Sequence, residues 1–453
     1  LTYVLAQRLN HSKPIVYASI ATLLYLTHPA LIESTAWISG RFDQFVTFFS
    51  LITFIIFTKK FINQYTTLSW GSSFWIGLGF FCALLSKEIA VWIPLTLFML
   101  YILFEKKTAS YRQLIRNAIH YQYPLIVMLV LFFSLYIILR LNSVSHDTIT
   151  IFNSTYIHNA ILGNFVPLHA IKYYILQIFI PFSHISLLQP LEQIDQSILS
   201  LVIAFFCTTF VGFIFYFALL KRNISAIFGF CAFIYLFLVL YFIPVGIANN
   251  LGHSRFLTLP MVFVVLAVVF LPYQNLMTWL KLSLKKMKIL VGIVLIFWLG
   301  LSIITVKTIV PFWSNEYTLW YWAYQTHPNS KLARANYLNA LINQKDFDEV
   351  IGIDFSANFI NVGVKLEEHD FLIYKVKKEG EIFEEKSVSL KSLGLNDIKE
   401  KVTFMQGDAC NLKDVYTNFD LVFCSNLIDR LYYPQKFLQD IPSRINENGL
   451  LKP

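Results

Sequence analysis

Carboxylates are scarce in most of this chain. Residues 1–345 contain only eight of them, and charged residues make up 14% of the whole sequence, against 56% hydrophobic and 17% aromatic residues. Together with a mean hydropathy of +0.58, this composition excludes an ordinary soluble domain and indicates a polytopic membrane protein. We therefore expect a lipid bilayer as a partner and no nucleic acid. The eight carboxylates belong to Glu33, Asp43, Glu88, Glu105, Asp147, Glu192, Asp195 and Glu316.

Cysteine is also rare. Cys82, Cys207 and Cys231 lie in apolar runs, whereas Cys410 and Cys424 lie in a polar part of the sequence without the CxxC spacing of a metal site or a redox pair. The chain opens with LTYVLAQRL, which is typical of a helix already under way, so we expect the sequence to be incomplete at its N-terminus.

The charge balance changes near residue 345. The overall charge of +9 combines a balance of +15 over residues 1–345 with a balance of −6 from residue 346 onward. We predict a transmembrane bundle over 1–312, the start of a helical repeat over 313–345 and a separate domain over 346–453. The predicted fold class is therefore mainly α: a polytopic membrane helical bundle followed by a partial α/β fragment.

Apolar runs predict nine membrane crossings, some of them shorter than the usual 20 or so residues. The predicted crossings are 14–28, 44–58, 72–85, 89–104, 123–139, 198–220, 225–243, 257–272 and 288–306. Basic clusters in short loops mark the cytoplasmic side. These clusters contain Lys59, Lys60, Lys106, Lys107, Arg112, Arg116, Lys221, Arg222, Lys281, Lys285, Lys286 and Lys288.

All of these clusters share one side only if residues 165–181, which include His169 and Lys172, do not cross. We interpret that run as re-entrant or as lying along the outer face. The protein is then a multi-pass membrane protein, in the plasma membrane if bacterial. Its connections 28–43, 86–88, 140–197 and 244–256, and everything after residue 306, point outward.

Two of the eight carboxylates fall in one connection, HPALIESTAWISGRFD at residues 28–43. An ionisable group at the edge of hydrocarbon is energetically costly, so it usually has a partner or a function. One interpretation is a short loop in which Glu33 and Arg41 pair with each other and with lipid headgroups.

The same stretch also resembles a family motif. The order His28, Pro29, Glu33, Trp37, Ile38, Gly40, Arg41 and Asp43 is similar to the loop of the TPR-containing transmembrane O-mannosyltransferases and their bacterial relatives. The resemblance implies the GT-C fold, in which a many-spanning membrane enzyme moves a sugar from a polyprenyl-phosphate donor to a protein or glycan acceptor outside the cytoplasm.

Two more polar segments lie on the predicted outer side. Ser86-Lys87-Glu88 splits two apolar runs and is similar to a Ser-Lys-Glu of the family; the alternative is a Lys87–Glu88 pair satisfied within the bundle. Residues 244–256 offer Asn249, Asn250, His253 and Arg255. The family has an Arg before a similar helix, where the resemblance implies contact with the lipid phosphate, and the planar fork of Arg suits phosphate oxygens. His253 on its own is more typical of a surface histidine than of a ligand.

The resemblance makes six residues candidates around one outward-facing cavity. They are Glu33, Arg41, Asp43, Lys87, Glu88 and Arg255. Inverting sugar transfer needs a base for the acceptor hydroxyl and a cation for the leaving phosphate. The carboxylate proposed as the base in the family lies in a loop that precedes this sequence, so we expect the six to act as supporting residues. Many GT-C enzymes use a divalent cation, but no ligand spacing here identifies its site.

The segment 313–345 resembles the opening of a tetratricopeptide repeat. His327, Pro328 and Asn329 are followed by small and apolar residues at helical spacing. One such repeat cannot bury its apolar face alone. A plain amphipathic helix is the alternative interpretation.

From residue 348 onward, short apolar runs alternate with polar helices, which predicts a parallel sheet with ligand at the carboxyl ends of its strands. The runs GIDFSANFI, QGDACNL and NLIDRLYYPQKFL resemble the mercaptohistidine N-methyltransferase domain of ovothiol biosynthesis, a class I S-adenosylmethionine-dependent enzyme. The resemblance implies that Asp354 holds the ribose, Asp408 and Ala409 the adenine, and that Asn426 faces the reacting end. The alternative is that both aspartates cap helices. The family's glycine-rich loop and last strands are missing from this sequence.

The sequence thus leaves three functions open. The first is a GT-C-like glycosyltransferase with an appended methyltransferase fragment. The second is a methyltransferase represented by residues 346–453, with S-adenosylmethionine as its cofactor. The third is a membrane scaffold or transporter, which predicts charges facing each other at the membrane midplane. We expect the chain as given to catalyse neither transfer.

Overall fold

A computed structural model describes most of the chain and shows it to be mainly helical. The described residues are 1–61, 63, 65–105, 109–143, 160–161, 163–182, 186–242, 250–273, 283–344, 347–379, 382–424 and 427–452. Asn249, Asn426, Lys106, Lys107, Lys281 and Asp147 lie outside them. The chain divides into two compact units, Leu1–Ser314 and Asn315–Pro453.

The first unit is built from α-helices joined by short 3₁₀ segments. Its α-helices are Thr2–Arg8, Pro14–Leu26, Ile32–Ala36, Arg41–Lys60, Trp70–Ser86, Ile93–Leu103, Tyr111–Tyr121, Tyr123–Ser143, Val166–Phe179, Ile198–Leu219, Ile224–Leu236, Thr258–Val269 and Leu284–Ile309. Its 3₁₀ segments include Pro29–Leu31, Ile38–Gly40, Glu88–Trp92, Ser254–Leu257 and Val310–Trp313.

Among the described residues, four helices are long and apolar enough to cross a membrane, by length and composition. They are Ile38–Lys60, Tyr123–Asn142, Ile198–Leu219 and Lys285–Trp313. The pair Pro14–Leu26 and Pro29–Ala36, bent by 60°, is a fifth if it counts as one broken span. The remaining predicted crossings coincide with shorter apolar helices, Trp70–Ser86, Glu88–Leu103, Ile224–Val239 and Ser254–Val269. Nine crossings therefore stay a prediction.

Among the shorter helices, Ile224–Leu236 packs inside the bundle, where protein covers it, whereas Trp70–Ser86 exposes Trp75 and Leu85. Ile224–Leu236 buries residues all around its circumference, including Phe228 and Tyr235. The Tyr235 hydroxyl and the Thr96 hydroxyl are 2.9 Å apart, so this contact satisfies two buried polar groups. By contrast, Ile198–Leu219 exposes Phe205 and Phe206, as expected of a helix that faces hydrocarbon.

The run predicted to be re-entrant forms the helix Val166–Phe179, which is buried on most of its surface. It begins at Phe165, whose φ of 48° is left-handed. Fourteen residues span about 21 Å, less than the roughly 30 Å of a hydrocarbon core. Its placement along the outer face remains a prediction.

The second unit opens with the helices Glu316–Thr326 and Lys331–Gln344, which pack on each other through tyrosines. The Tyr337 ring lies 5.2 Å from that of Tyr324 and 5.7 Å from that of Tyr317. The helices Ala357–His369 and Pro434–Asp440 follow. The strands are β1 (Val350–Asp354), β2 (Phe371–Glu379), β3 (Ile382–Ser389), β4 (Val402–Gln406), β5 (Phe419–Phe423) and β6 (Ile445–Lys452).

The described strands form three two-stranded sheets rather than one continuous parallel sheet. β1 pairs with β4 and β5 with β6 in parallel, as the α/β pattern predicted, whereas β2 and β3 form an antiparallel hairpin that we did not predict. On this hairpin Lys378 lies 3.4 Å from Glu384, and such an exposed ion pair between neighbouring strands contributes about 1 kcal/mol or less.

Gly40 permits the close backbone approach that shapes the 28–43 connection. A Cβ at position 40 lies 2.6 Å from the Ser34 carbonyl oxygen, which is rigid backbone. Gly40→Ala should therefore lower the apparent unfolding temperature in detergent by several degrees, since strain of this kind costs about 1–3 kcal/mol. Gly71→Ala is the control, because a Cβ there meets nothing within 4 Å. Equal midpoints for the two variants contradict this account.

Candidate functional site

The 28–43 connection is fixed at its start by His28. The Ile178 carbonyl, 3.1 Å away, can only accept, so Nε2 of His28 carries the proton. Nδ1 then accepts from the Ala30 amide at 3.3 Å. His28 is therefore neutral, and it ties the first turn of the connection to the end of the helix Val166–Phe179.

Glu33 links this connection to a segment 220 residues further along the chain. Its Oε1 lies 3.0 Å from Nδ1 of His253, and its Oε2 accepts from the Ser254 hydroxyl at 2.8 Å and from the Arg255 amide at 3.1 Å. Nε of Arg255 lies 3.9 Å from Oε1. The Glu33 residue is only 6% exposed, so these partners replace water around the carboxylate.

The position of His253 is set by a second layer of hydrogen bonds. Asn250 Nδ2 approaches Nε2 of His253 at 3.5 Å, while Asn250 Oδ1 accepts from the Gln189 amide at 3.1 Å. The Tyr241 hydroxyl donates to the Asn250 carbonyl. His253 is 6% exposed, so the surface-histidine interpretation was wrong. Nδ1 of His253 therefore faces the Glu33 carboxylate, and Nε2 faces the Asn250 amide.

A buried ion pair lies beside the Glu33 carboxylate. Lys87 Nζ contacts Asp43 Oδ1, and the Lys87 amine lies 4.4 Å from the centre of the Phe256 ring. The Asp43 side chain is 2% exposed and its Oδ2 has no hydrogen-bond partner among the described residues. Lys87 therefore pairs with Asp43 rather than with Glu88, contrary to the alternative considered above.

Arg255 completes the cluster. Its guanidinium carbon lies 4.2 Å from the Trp37 ring centre and 5.4 Å from that of Phe256. Nε is buried and has no hydrogen-bond partner in the described part of the chain. The Lys87 and Arg255 side chains are each 18% exposed, against 2% for Asp43 and 7% for Glu33. The cations therefore form the open edge of the cluster and the carboxylates lie behind them.

Two of the six candidates lie outside this cluster. Glu88 pairs with Arg140 at 2.7 Å, and both side chains are about half exposed. Arg41 begins the helix Arg41–Lys60 with an exposed side chain, and the oxygens of Glu33 contact His253, Ser254 and Arg255 instead. The predicted Glu33–Arg41 pair was therefore wrong. Sequence reasoning also missed Ser254 and Phe256, which carry no signal beyond their position next to Arg255.

The contacts of the two carboxylates limit the chemistry that the cluster can perform. Both oxygens of Glu33 already accept hydrogen bonds, and Asp43 contacts Lys87, so neither carboxylate is arranged as a general base. Of the four carboxylate oxygens in the cluster, Asp43 Oδ2 is the one without a hydrogen-bond partner among the described residues, and Lys87 lies beside that carboxylate. Among the described residues no group of three or more His, Cys, Asp or Glu side chains could hold a metal ion.

In the second unit, Asp354 and Asp408 follow the adjacent parallel strands β1 and β4. The Gly407 amide donates to the Asp354 carbonyl at 3.0 Å, so both residues lie at the same edge. Asp354 Oδ1 accepts from the Ser356 amide at 2.7 Å, and Asp408 Oδ1 from the Cys410 amide at 2.9 Å. The Asp408 contact is the capping bond of the alternative interpretation, because Asp408 is the N-cap of the 3₁₀ segment Ala409–Asn411. The Asp354 contact is a local turn, since Ser356 is the N-cap of the helix Ala357–His369 and no side chain caps that helix.

Asp408 has a further partner. Its Oδ2 accepts from the Tyr432 hydroxyl at 2.8 Å, and this hydrogen bond raises the pKa of Tyr432 to about 12. Ala409 packs beside a small core of Cys424, Phe437 and Ile441. Asn426 lies outside the described residues. Asp354 Oδ2 is therefore the one carboxylate oxygen of the two aspartates without a hydrogen-bond partner in the described chain.

Compared with known proteins, the chain matches no family model and no curated protein.

The Lys87–Asp43 pair gives a direct test of the cluster. Lys87→Met should destabilise the protein by about 3–5 kcal/mol, because it leaves the Asp43 carboxylate buried without its counter-ion. The double variant Asp43→Asn with Lys87→Met should recover most of that loss. Arg140→Met removes a partner from an exposed pair and should cost no more than about 1 kcal/mol. Denaturant unfolding of detergent-solubilised protein measures all three. A double variant as unstable as Lys87→Met contradicts the pairing.

Proposed function

We propose that this chain is a multi-pass, GT-C-like membrane glycosyltransferase whose cation-edged cluster binds the phosphate of a polyprenyl-phosphate sugar donor. The observation that carries the proposal is the arrangement of Lys87 and Arg255 at the open edge, each backed by a buried carboxylate. The motif from His28 to Asp43 supports the same family by resemblance.

The geometry suits a phosphate better than a neutral ligand. Arg255 has donors to spare, since no described residue accepts a hydrogen bond from its buried Nε. A guanidinium binds phosphate oxygens in pairs, and an ammonium adds a point charge. Trp37 and Phe256 flank the two cations and exclude water from one side, which strengthens electrostatic attraction.

The fold supports an extracytoplasmic site. The helix Arg41–Lys60 carries Asp43 of the cluster in its first turn and ends at Lys59 and Lys60, 20 residues or about 30 Å from its start. That length equals the thickness of a hydrocarbon core. Because lysines at the ends of spans favour the cytoplasmic side, the cluster belongs on the opposite side.

In this proposal the cluster positions the donor, and the base lies elsewhere. Glu33 fixes the backbone amide and side chain of Arg255, and Asp43 fixes Lys87. Both carboxylates are positioning residues. Lys87 and Arg255 stabilise the charge that grows on the leaving phosphate during transfer.

The proposal predicts that Arg255→Gln weakens binding of a short-chain, water-soluble polyprenyl phosphate to the full chain in detergent by about 10–100-fold. A charge-assisted hydrogen bond contributes about 1.5–3 kcal/mol, which sets this range. The affinity of Arg255→Lys should lie between those of the unaltered chain and Arg255→Gln, because lysine keeps the positive charge but lacks the planar fork of arginine. Isothermal titration calorimetry measures the affinities.

The matched control is Arg140→Gln, which removes an exposed arginine that pairs with Glu88. It should leave binding unchanged, and unfolding midpoints show that each variant is folded. Equal weakening by Arg140→Gln and Arg255→Gln, or no binding to the unaltered chain, overturns the proposal.

A second candidate function rests on the second unit. Asp354 and Asp408 meet at the edge of adjacent parallel strands, where class I methyltransferases bind S-adenosylmethionine, and Asp354 keeps one oxygen for a ribose hydroxyl. The Asp408 carboxylate is already engaged by Cys410 and Tyr432, so only part of the expected contact set is available.

This candidate predicts saturable binding of S-adenosylmethionine to the full chain, weakened about tenfold by Asp354→Asn, which is the loss of roughly 1.4 kcal/mol. The control is Glu400→Gln, which changes an exposed carboxylate on the 3₁₀ segment Asn396–Lys401, just before β4. Calorimetry with no heat of binding at millimolar ligand removes this candidate without affecting the first.

A further inference from the structure

The helix Tyr111–Tyr121 carries a charged stripe that the proposed sugar transfer does not use. Arg112, Arg116 and His120 follow one another at intervals of four residues, so they share one face, and all three are exposed. Ile115 and Ile119, exposed by 47% and 61%, lie beside them. Together with Tyr123 they line one shallow groove.

The opposite face anchors this helix to the bundle. Leu114 is fully buried and Asn117 is 7% exposed. The Tyr111 hydroxyl donates to the Leu219 carbonyl at 2.5 Å, and the Arg222 guanidinium lies 4.5 Å from the Tyr111 ring centre. The helix is therefore held in place by protein on one side, with arginines and isoleucines adjacent on the other.

Its surroundings mark one end of the membrane-spanning helices. The candidate span Tyr123–Asn142 starts two residues after the helix ends. Gln122 donates to the Thr66 carbonyl at 2.8 Å, and the rings of Tyr65 and Tyr121 lie 5.7 Å apart. These contacts place the connection that follows Lys59 and Lys60 next to the helix Tyr111–Tyr121. Trp70 and Tyr123 are 5.8 Å apart at the same end. Aromatic rings with basic residues are typical of a membrane–water interface.

We propose that the helix Tyr111–Tyr121 lies in the plane of the membrane surface and binds the headgroups of anionic phospholipids through Arg112, Arg116 and His120. The exposed isoleucines enter the headgroup boundary, as apolar residues of interfacial helices do, while the arginines contact lipid phosphates above them. This inference does not depend on the chemistry proposed for the Lys87–Arg255 cluster, which lies by the other end of the helix Arg41–Lys60.

The test places a reporter on the helix itself. The full chain with Ile119→Cys, labelled with a fluorophore, is reconstituted into neutral phosphatidylcholine vesicles containing a brominated lipid that is either anionic phosphatidylglycerol or phosphatidylcholine. The same chain without Ile119→Cys corrects for label on the native cysteines. Stronger quenching by the anionic brominated lipid measures its local enrichment.

We expect anionic lipid to be enriched around the helix Tyr111–Tyr121 in the chain that carries Ile119→Cys and no other substitution. Each arginine near an anionic surface contributes about fivefold to that enrichment. Arg112→Gln with Arg116→Gln should therefore reduce it strongly, whereas Arg112→Lys with Arg116→Lys should preserve most of it. The control Lys365→Gln with Lys391→Gln removes two exposed charges from the second unit and should change nothing.

Three outcomes overturn the proposal. Equal quenching by the two brominated lipids shows that the stripe does not select anionic headgroups. No quenching by either lipid shows that the helix does not lie at the membrane. Loss of enrichment in inorganic phosphate, but not in chloride of equal ionic strength, shows a site for free phosphate rather than for lipid.

Discussion

The hydrogen bonds of the buried Glu33 carboxylate hold together the cluster of Glu33, Asp43, Lys87, His253 and Arg255. The carboxylate accepts hydrogen bonds from Ser254 and from the Arg255 amide, and it contacts His253, so it joins two segments that are far apart in the chain. A buried carboxylate without such partners costs several kcal/mol. The hydrogen bonds of Glu33 therefore fix how the 28–43 connection lies against the 3₁₀ segment Ser254–Leu257. The same arrangement orients Arg255 over Trp37 and brings Phe256 against Lys87.

The two ends of the helix Arg41–Lys60 carry differently arranged charges. At one end of the helix Arg41–Lys60, buried carboxylates hold two cations that retain some exposure; at the other end, Lys59, Lys60 and the Tyr111–Tyr121 helix present exposed basic residues. The difference lies in what compensates the charge. Buried carboxylates compensate the charge of the first set and fix its geometry. The basic residues of the second set are open to a surface of many anionic groups, and its attraction is weakened by salt.

Sequence patterns predicted the helices well, because long apolar runs and scarce carboxylates leave few alternatives in a membrane. They also singled out Glu33, Asp43, Lys87 and Arg255. They could not predict which side chains pair. Arg41 is near Glu33 in the sequence and Glu88 is next to Lys87, but packing brings His253 to Glu33 and Asp43 to Lys87 instead. His253 looked like a surface residue because the groups that contact its ring include Glu33 and Trp37, which lie more than 200 residues away in the sequence. The β2–β3 hairpin was missed because its charged residues fitted the polar helices that were expected between the apolar strands.

A double-mutant cycle between Glu33→Gln and Ser254→Ala tests the central claim most directly. The unfolding free energies of the two single variants and the double variant in detergent give the coupling between the two side chains. We predict a coupling of about 1 kcal/mol or more, since contacting residues in one hydrogen-bond network couple by about 0.5–3 kcal/mol. The same cycle with Glu88→Gln in place of Glu33→Gln should be additive, because Glu88 contacts Arg140 instead. Additive effects of Glu33→Gln and Ser254→Ala would contradict the account.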